Sequence, residues 1–203
     1  MEFIVIEGLD GSGKSTVTKR LAAHFAGHNL PCHHTFEPTN NKIGTFIRSI
    51  LSGAQQTISS EAMALLFAAD RKEHIANELL PKLEKGSVVS DRYYLSNMAY
   101  QGFDDVHLEK VIAYNQAAME TCKPHITFFL NVSPQECMRR VESRGEGKSI
   151  YETLANLEHI HQRYQAAIVR MKATDNIIFV GSDTATTEAI VDEMWGHIMG
   201  LRK

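Results

Sequence analysis

The chain is poor in the features that would tie it to an extracellular, membrane or nucleic-acid setting. Its 203 residues hold only three cysteines, Cys32, Cys122 and Cys137, with no C-x-x-C spacing. That excludes a disulfide framework and a thiolate zinc site, fits a reducing compartment, and leaves the three thiols as packing residues. No apolar run nears the roughly 20 residues of a membrane span, and the first residues read as a strand instead of a basic-then-apolar leader. The expectation is a cytoplasmic protein with no membrane partner. Positive charge is not in excess: 21 Lys and Arg against 24 Asp and Glu give −3, so no global field holds nucleic acid and an anionic ligand must be met locally. Linkers, internal repeats and low-complexity tracts are missing too. With 43% apolar and 22% charged residues the composition is that of a globular protein, which excludes disorder. One domain spanning 1–203 is expected, long enough to bury its core without disulfide or metal staples.

What is present alternates between short apolar runs and amphipathic stretches. Phe3-Ile4-Val5-Ile6 is β-branched and too short for a helix, so it reads as a buried strand. From Lys14 to about His28, Val17, Leu21, Ala22 and Phe25 recur at three- and four-residue steps and mark a helix. Further strands are expected near Cys32 to Phe36, Ser87 to Ser90, Ile126 to Asn131 and Asn176 to Val180. Helix starts are signalled by Ser60 with Glu61, opening a segment to about Glu84, by Pro134 after Ser133, and by Thr184 to Thr187. Five strands separated by helices predict an α/β fold of three layers, a parallel sheet covered on both faces.

Gly8-Leu9-Asp10-Gly11-Ser12-Gly13-Lys14-Ser15 matches G-x-x-x-x-G-K-[ST] between the first strand and the first helix. Its glycines let successive N–H groups turn around a phosphate, and the helix N-terminus adds its positive dipole end. Lys14 can reach the β and γ oxygens, Ser15 offers a hydroxyl to Mg²⁺, and Thr16 is placed to touch the nucleotide. The fold expected is therefore that of a P-loop NTPase. Asn41-Lys42-Ile43-Gly44 fails the N-K-x-D guanine reader at its carboxylate, and Leu51-Ser52-Gly53-Ala54-Gln55 reads as a helix end running through a Ser-Gly turn.

A second group of residues suits an acceptor. The strand at Ser87 ends in Asp91-Arg92-Tyr93, at the sheet edge where open α/β folds bind ligands. Arg92 can clamp phosphate oxygens, and Asp91 can orient it or hold a magnesium-bound water. Asn97, Tyr100 and Gln101 share a helix face that can read a sugar and a base. Phe67 and Arg71, four apart on a helix, offer an aromatic plate and a fork of donors, and Glu37-Pro38 with Arg48 adds polar groups at the same edge. Arg140 and Arg144 stand four apart at the end of a helix, with Gly145 and Gly147 following. The ten histidines do not predict a metal site, because His33 and His34 face opposite sides of a strand and His159 and His161 diverge on a helix.

Gly8 to Thr16, Glu37-Pro38, Phe67-Ala68-Ala69-Asp70-Arg71, and Asp91-Arg92-Tyr93 through Ser96 to Ala99-Tyr100-Gln101-Gly102 stand in the order and spacing of one family. From Phe3 to about Tyr164 the chain resembles the thymidylate kinases. The resemblance implies phosphoryl transfer from ATP with Mg²⁺ to dTMP, on a five-stranded parallel sheet, in a homodimer. It puts the thymine platform on Phe67, the base edge on Arg71 and Gln101, and Tyr100 beneath the sugar. Asp10 would engage the 3′-hydroxyl, Arg92 and Arg48 the acceptor phosphate, Glu37 the metal and its waters, and Asn97 the nucleotide. Cations would carry the rate: Lys14, Arg92 and, from a lid over about 140–150, Arg144 with Arg140 beside it. Two stretches depart from the family's pattern. Phe36-Glu37-Pro38-Thr39-Asn40-Asn41 stands where Arg-Glu-Pro-Gly-Gly-Thr is common, and Lys148-Ser149-Ile150-Tyr151-Glu152 where the lid carries Asp-Arg-x-Glu. A kinase of another deoxynucleotide or a deoxynucleoside, and a nucleotide-binding module without turnover, are the alternative readings.

Overall fold

The computed structural model describes residues 1–143 and 153–202. Five strands form one sheet: β1 (Phe3–Glu7), β2 (Cys32–Phe36), β3 (Ser87–Asp91), β4 (Ile126–Leu130) and β5 (Ile177–Val180). Their spatial order is β2-β3-β1-β4-β5 and every pairing is parallel. The three inner strands are buried at every residue; β1 and β4 run largely apolar without alternation, while β3 also buries Ser87, Ser90 and Asp91. The helices are α1 (Lys14–Gly27), α2 (Lys42–Leu51), α3 (Ser60–His74), α4 (Leu80–Leu83), α5 (Tyr94–Gln101), α6 (Asp105–Thr121), α7 (Pro134–Ser143), α8 (Leu154–Met171) and α9 (Thr187–Leu201).

Successive residues of a strand face opposite sides of the sheet, and two cores result. Phe3, Val5, Val88 and Phe129 pack with Met98 of α5, Leu108 of α6 and Tyr164 of α8. Ile4, Ile6, Val89 and Phe128 pack on the other face with Leu21 and Phe25 of α1 and Met194 of α9. Each fully buried Phe or Ile contributes about 1.5–3 kcal/mol. Cys122 and Cys137 are buried, Cys32 is half-buried, and all three thiols are free. Trp195 of α9 packs edge-on against Phe25 at 4.9 Å.

Helix boundaries follow local chemistry. Asn41 caps α2 by accepting from the Gly44 N–H at 2.8 Å, and Ser59 caps α3 by accepting from Ala62 at 3.2 Å. The segment expected as one helix from Ser60 to about Glu84 is continuous but passes through a π-helical turn at Ile75–Leu79, where Pro81 in the next turn cannot donate a helical hydrogen bond. After α2, Gly53 takes φ +76 and its N–H bonds to the Ile50 carbonyl, so the Ser-Gly turn ends the helix. No helix among the described residues is long and apolar enough to cross a membrane.

The loop after β2 is tied down from below. Asp70 of α3 is fully buried and accepts from both the Thr39 N–H, at 2.8 Å, and the Thr39 hydroxyl, at 2.6 Å. Gly44 lies so close that a Cβ there would sit 2.1 Å from the Thr39 carbonyl oxygen. This packing sets where Pro38 and Arg48 stand. Asp70→Ala would leave two buried Thr39 donors unpaired, so the expected loss is about 2 kcal/mol or more of unfolding free energy. Urea unfolding checks it through a lowered midpoint at unchanged slope.

Candidate active site

The loop from Gly8 to Lys14 leaves the C-terminal end of β1 and enters α1 at Lys14, in the crevice where the strand order reverses. Gly11 and Gly13 have φ of +87° and +95°, and a Cβ on Gly11 would lie 2.3 Å from the Cys137 carbonyl oxygen, so both conformation and space require glycine. Lys14 is buried and donates to the Leu9 carbonyl at 2.7 Å, with Asp10 at 3.9 Å. Burial lowers its ammonium below the ordinary lysine range, and the neighbouring Arg92 charge adds to that, while Asp10, Asp91 and Glu7 oppose it. The Ser15 hydroxyl donates to Asp91 Oδ2 at 2.5 Å, and the other Asp91 oxygen is buried without a hydrogen-bond partner. A hydroxyl and a carboxylate oxygen converging beside a phosphate loop are hard donors of the kind Mg²⁺ takes. The residues present therefore fit that ion.

A cavity of about 220 Å³ opens on the other side of Asp10. Phe67 of α3 and Leu51 of α2 supply its apolar wall, Pro38 and Arg48 its rim, and Ser96, Asn97, Tyr100 and Gln101 of α5 its polar wall. Arg92 closes it toward the phosphate loop. The Arg92 backbone has φ +74, a left-handed conformation that costs a non-glycine residue about 1–2 kcal/mol. Its guanidinium donates to Ser96 Oγ at 3.0 Å, Tyr100 OH at 3.2 Å, Tyr164 OH at 3.3 Å and the Asp10 carboxylate, and stands 5.0 Å over the Tyr100 ring. Tyr100 in turn donates to Asp10 Oδ2 at 2.9 Å. Burial works to raise the Asp10 carboxyl, but Arg92, then Lys14 and the Tyr100 and Arg92 hydrogen bonds, outweigh it and hold Asp10 below the ordinary aspartate range. Arg48 donates to the Pro38 carbonyl at 2.5 Å and to Asn40 Oδ1 at 3.0 Å.

Two of the expected site residues pair with each other. Glu37 is buried and accepts from Arg71 at 2.5 Å, with the His74 ring at 2.9 Å. Arg71 is 1% exposed and donates also to Asn115 Oδ1 at 2.5 Å and Asn97 Oδ1 at 3.4 Å, while its Nε is buried with no hydrogen-bond partner among the described residues. The reason is charge. A guanidinium withdrawn from water requires an anion and neutral acceptors around it, and the Glu37 carboxylate turns inward to provide the anion. Arg140 reaches the phosphate loop, donating to the Ser12 carbonyl at 3.3 Å and the Asp183 carbonyl at 3.1 Å while Glu136 holds its Nε at 2.7 Å. Arg144 and the lid beyond it lie outside the described residues.

Sequence reasoning missed Glu7 and Tyr164. Glu7 ends β1, is fully buried, and its two oxygens accept from the Tyr93 N–H at 2.9 Å, the Ser96 N–H at 3.2 Å, the Ser96 hydroxyl at 2.5 Å and the Tyr164 hydroxyl at 3.0 Å. Burial pushes its carboxyl up, against the pull of the Ser96 bond and the Arg92 charge. The two backbone N–H donors on Oε1 favour the ionised form, while the two hydroxyls on Oε2 can either donate or accept. The legible signal was an acid ending an otherwise apolar strand. Tyr164, from α8, gave none.

The family model described as thymidylate kinase matches residues 6–193. A probable thymidylate kinase of Methanococcus aeolicus is 34% identical over 200 residues, covering 98% of this chain and 96% of its own. One of Thermococcus kodakarensis is 37% identical over 207 residues, covering 96% and 99%, and a thymidylate kinase of Carboxydothermus hydrogenoformans is 34% identical over 206 residues, covering 98% of each. With nearly the whole chain inside the family match and its relatives aligned end to end, the chain belongs to the thymidylate kinase family.

Proposed function

We propose that the chain moves the γ-phosphoryl group of ATP to dTMP, giving ADP and dTDP. The observation that carries this reading is that the phosphate loop and a base-sized cavity share one wall, the Asp10–Arg92 pair. Family membership supports ATP as donor and dTMP as acceptor. An oxygen of the acceptor phosphate attacks the γ-phosphorus, and the bond from that phosphorus to the β-bridging oxygen breaks as ADP leaves. A phosphate monoester carries a second pKa near 6, so its nucleophilic oxygen is already ionised at neutral pH and no general base is required.

Bringing two anions together is then the main task, and the cationic side chains perform it. Lys14 and the N–H groups from Gly8 to Thr16 take the donor phosphates. Arg92, with Arg48 at the rim, takes the acceptor phosphate. Ser15 and Asp91 would hold Mg²⁺, which when bound neutralises phosphate charge. Phe67 offers the plate for the base, Asn97 and Gln101 its polar edge, and Pro38 the rim. Arg71, and through it Glu37, supports that edge from behind. Tyr100 lies beneath the sugar, where its ring leaves little space for a 2′-hydroxyl, and Asp10 meets the 3′-hydroxyl. Arg140 serves the donor, supported by its bond to the Ser12 carbonyl. Arg144 is proposed as its companion from sequence spacing alone. The chain acts as one domain with a lid over about 140–150, as a cytoplasmic homodimer.

In a coupled assay of ADP release across dTMP, dUMP, dCMP, dGMP and thymidine, dTMP is expected to stimulate turnover most. No stimulation by dTMP, or preference for thymidine, would remove the reading. Arg92→Ala should lower kcat/KM for dTMP by about a hundredfold or more. The depressed Asp10 carboxyl also has a pH signature. A folded-state value below the unfolded one, about 3.9, stabilises the protein above that pH, and the contribution is lost as pH falls through the folded value. Wild type should therefore melt higher than Asp10→Asn at neutral pH, and the gap should close below about pH 4. A gap that widens in acid would show that Arg92 does not hold the ionised carboxylate.

A further inference from the structure

Arg92 faces the acceptor cavity, and its backbone is held in a conformation that it does not prefer. The Arg92 N–H still pairs with the Ile6 carbonyl at 2.9 Å, but the next amide, Tyr93 N–H, has left the sheet ladder and bonds to Glu7 Oε1 instead. The Ser96 N–H goes to the same oxygen at 3.2 Å. Tyr93 is the N-terminal cap of α5 and has no side-chain cap bond of its own, so the first turn of α5 is capped by a carboxylate from another strand.

The other Glu7 oxygen governs the guanidinium. Ser96 Oγ accepts from Arg92 NH1 at 3.0 Å and donates to Glu7 Oε2 at 2.5 Å. Tyr164 OH accepts from the same NH1 at 3.3 Å and donates to Glu7 Oε2 at 3.0 Å. Burial raises the Tyr164 hydroxyl well above the ordinary tyrosine range, so it stays a donor at neutral pH. An arginine only donates, so both hydroxyls accept from Arg92 and both can hand their protons to the Glu7 carboxylate, although the two hydroxyls also lie 2.8 Å apart and Tyr164 has the Gly8 carbonyl at 3.3 Å. The two charges are linked through two single-proton bridges that also fix the rotation of the guanidinium about its axis.

We propose that Glu7 is a positioning residue: its two oxygens lock the left-handed backbone of Arg92 and, through Ser96 and Tyr164, aim the Arg92 guanidinium at the phosphate of the acceptor nucleotide. Glu7 directly precedes the phosphate loop, so the same side chain registers the acceptor's cation against the donor's cradle. The proposal rests on the reading of Arg92 as the acceptor-phosphate clamp.

An amide is the sharpest probe, because it keeps the shape of the side chain and removes one acceptor oxygen. In Glu7→Gln, the NH₂ group meets two obligate backbone N–H donors if it replaces Oε1; if it replaces Oε2 it must donate to the two hydroxyls, whose protons then turn to each other or to the Gly8 carbonyl. Either rotamer breaks part of the Glu7 network, and both remove its negative charge. Titration calorimetry with dTMP and with thymidine, which shares the nucleoside but has no phosphate, separates aim from architecture. The expected result is that Glu7→Gln weakens dTMP binding by about tenfold or more and thymidine binding by no more than about twofold. Tyr164→Phe removes only one bridge and should give a smaller loss of the same kind. It carries the test by itself should Glu7→Gln fail to fold. Equal weakening of both ligands, or retention of the wild-type preference for dTMP in the variants, overturns the role of Glu7. A wild-type protein that binds dTMP no tighter than thymidine would instead remove the reading of Arg92 on which the proposal stands, and with it the proposal.

Discussion

The parallel pairing of β1 with β3, with Ile6 opposite Asp91, is the constraint from which the site follows. Strand register in a sheet buried on both faces is strongly specified, because a slip of one residue exchanges the two cores. In this register the residues that leave β1, Gly8 to Lys14, emerge beside those that leave β3, Asp91 and Arg92. Ser15 meets Asp91 across that junction at 2.5 Å and Asp10 meets Arg92. The phosphate loop and the cavity lined by Arg92 are thus set at the ends of two hydrogen-bonded neighbours.

Around that junction the protein withdraws an unusual amount of charge from water. Glu7, Lys14, Glu37, Asp70 and Arg71 are all buried. None of these is tolerable alone, and each has acquired matched partners: Arg71 between Glu37 and Asn115, Asp70 on both Thr39 donors, Glu7 under four donors. Apolar residues of similar size would pack these places at least as stably. The polar versions contribute orientation, since a hydrogen-bonded ion has few rotamers left. Arg71 illustrates this: tied to Glu37, it cannot swing freely, and it fixes the amide of Asn115, which donates in turn to Asn97 in the cavity wall at 2.9 Å.

Much of the architecture was legible because its signals are local. Five short apolar runs, glycines flanking a lysine after the first of them, Ser and Thr before amphipathic stretches, and Asp-Arg-Tyr at a strand end each report the backbone at their own position. Strand limits read from the sequence agree with the structure to within a residue or so, as at Cys32–Phe36, and Leu51-Ser52-Gly53 ends its helix as its chemistry requires. The candidate site was less legible. Phe67, Asn97, Tyr100, Gln101, Arg48 and Arg92 line one cavity, yet they come from four separate places, α2, α3, α5 and the turn after β3. The resemblance gives Arg71 to the base edge and Glu37 to the surroundings of the metal, and pattern alone does not say that the two pair with each other.

The sequence by itself determined the layered α/β class, the phosphate loop and the helix face that borders the acceptor cavity, because those properties arise from residues within a few positions of one another. Only the tertiary structure decided that Glu7 and Tyr164 belong to the arginine at position 92, and that Arg71 and Glu37 pair with each other. These are contacts between residues tens to more than a hundred positions apart, selected by which partner is present when a charge leaves water.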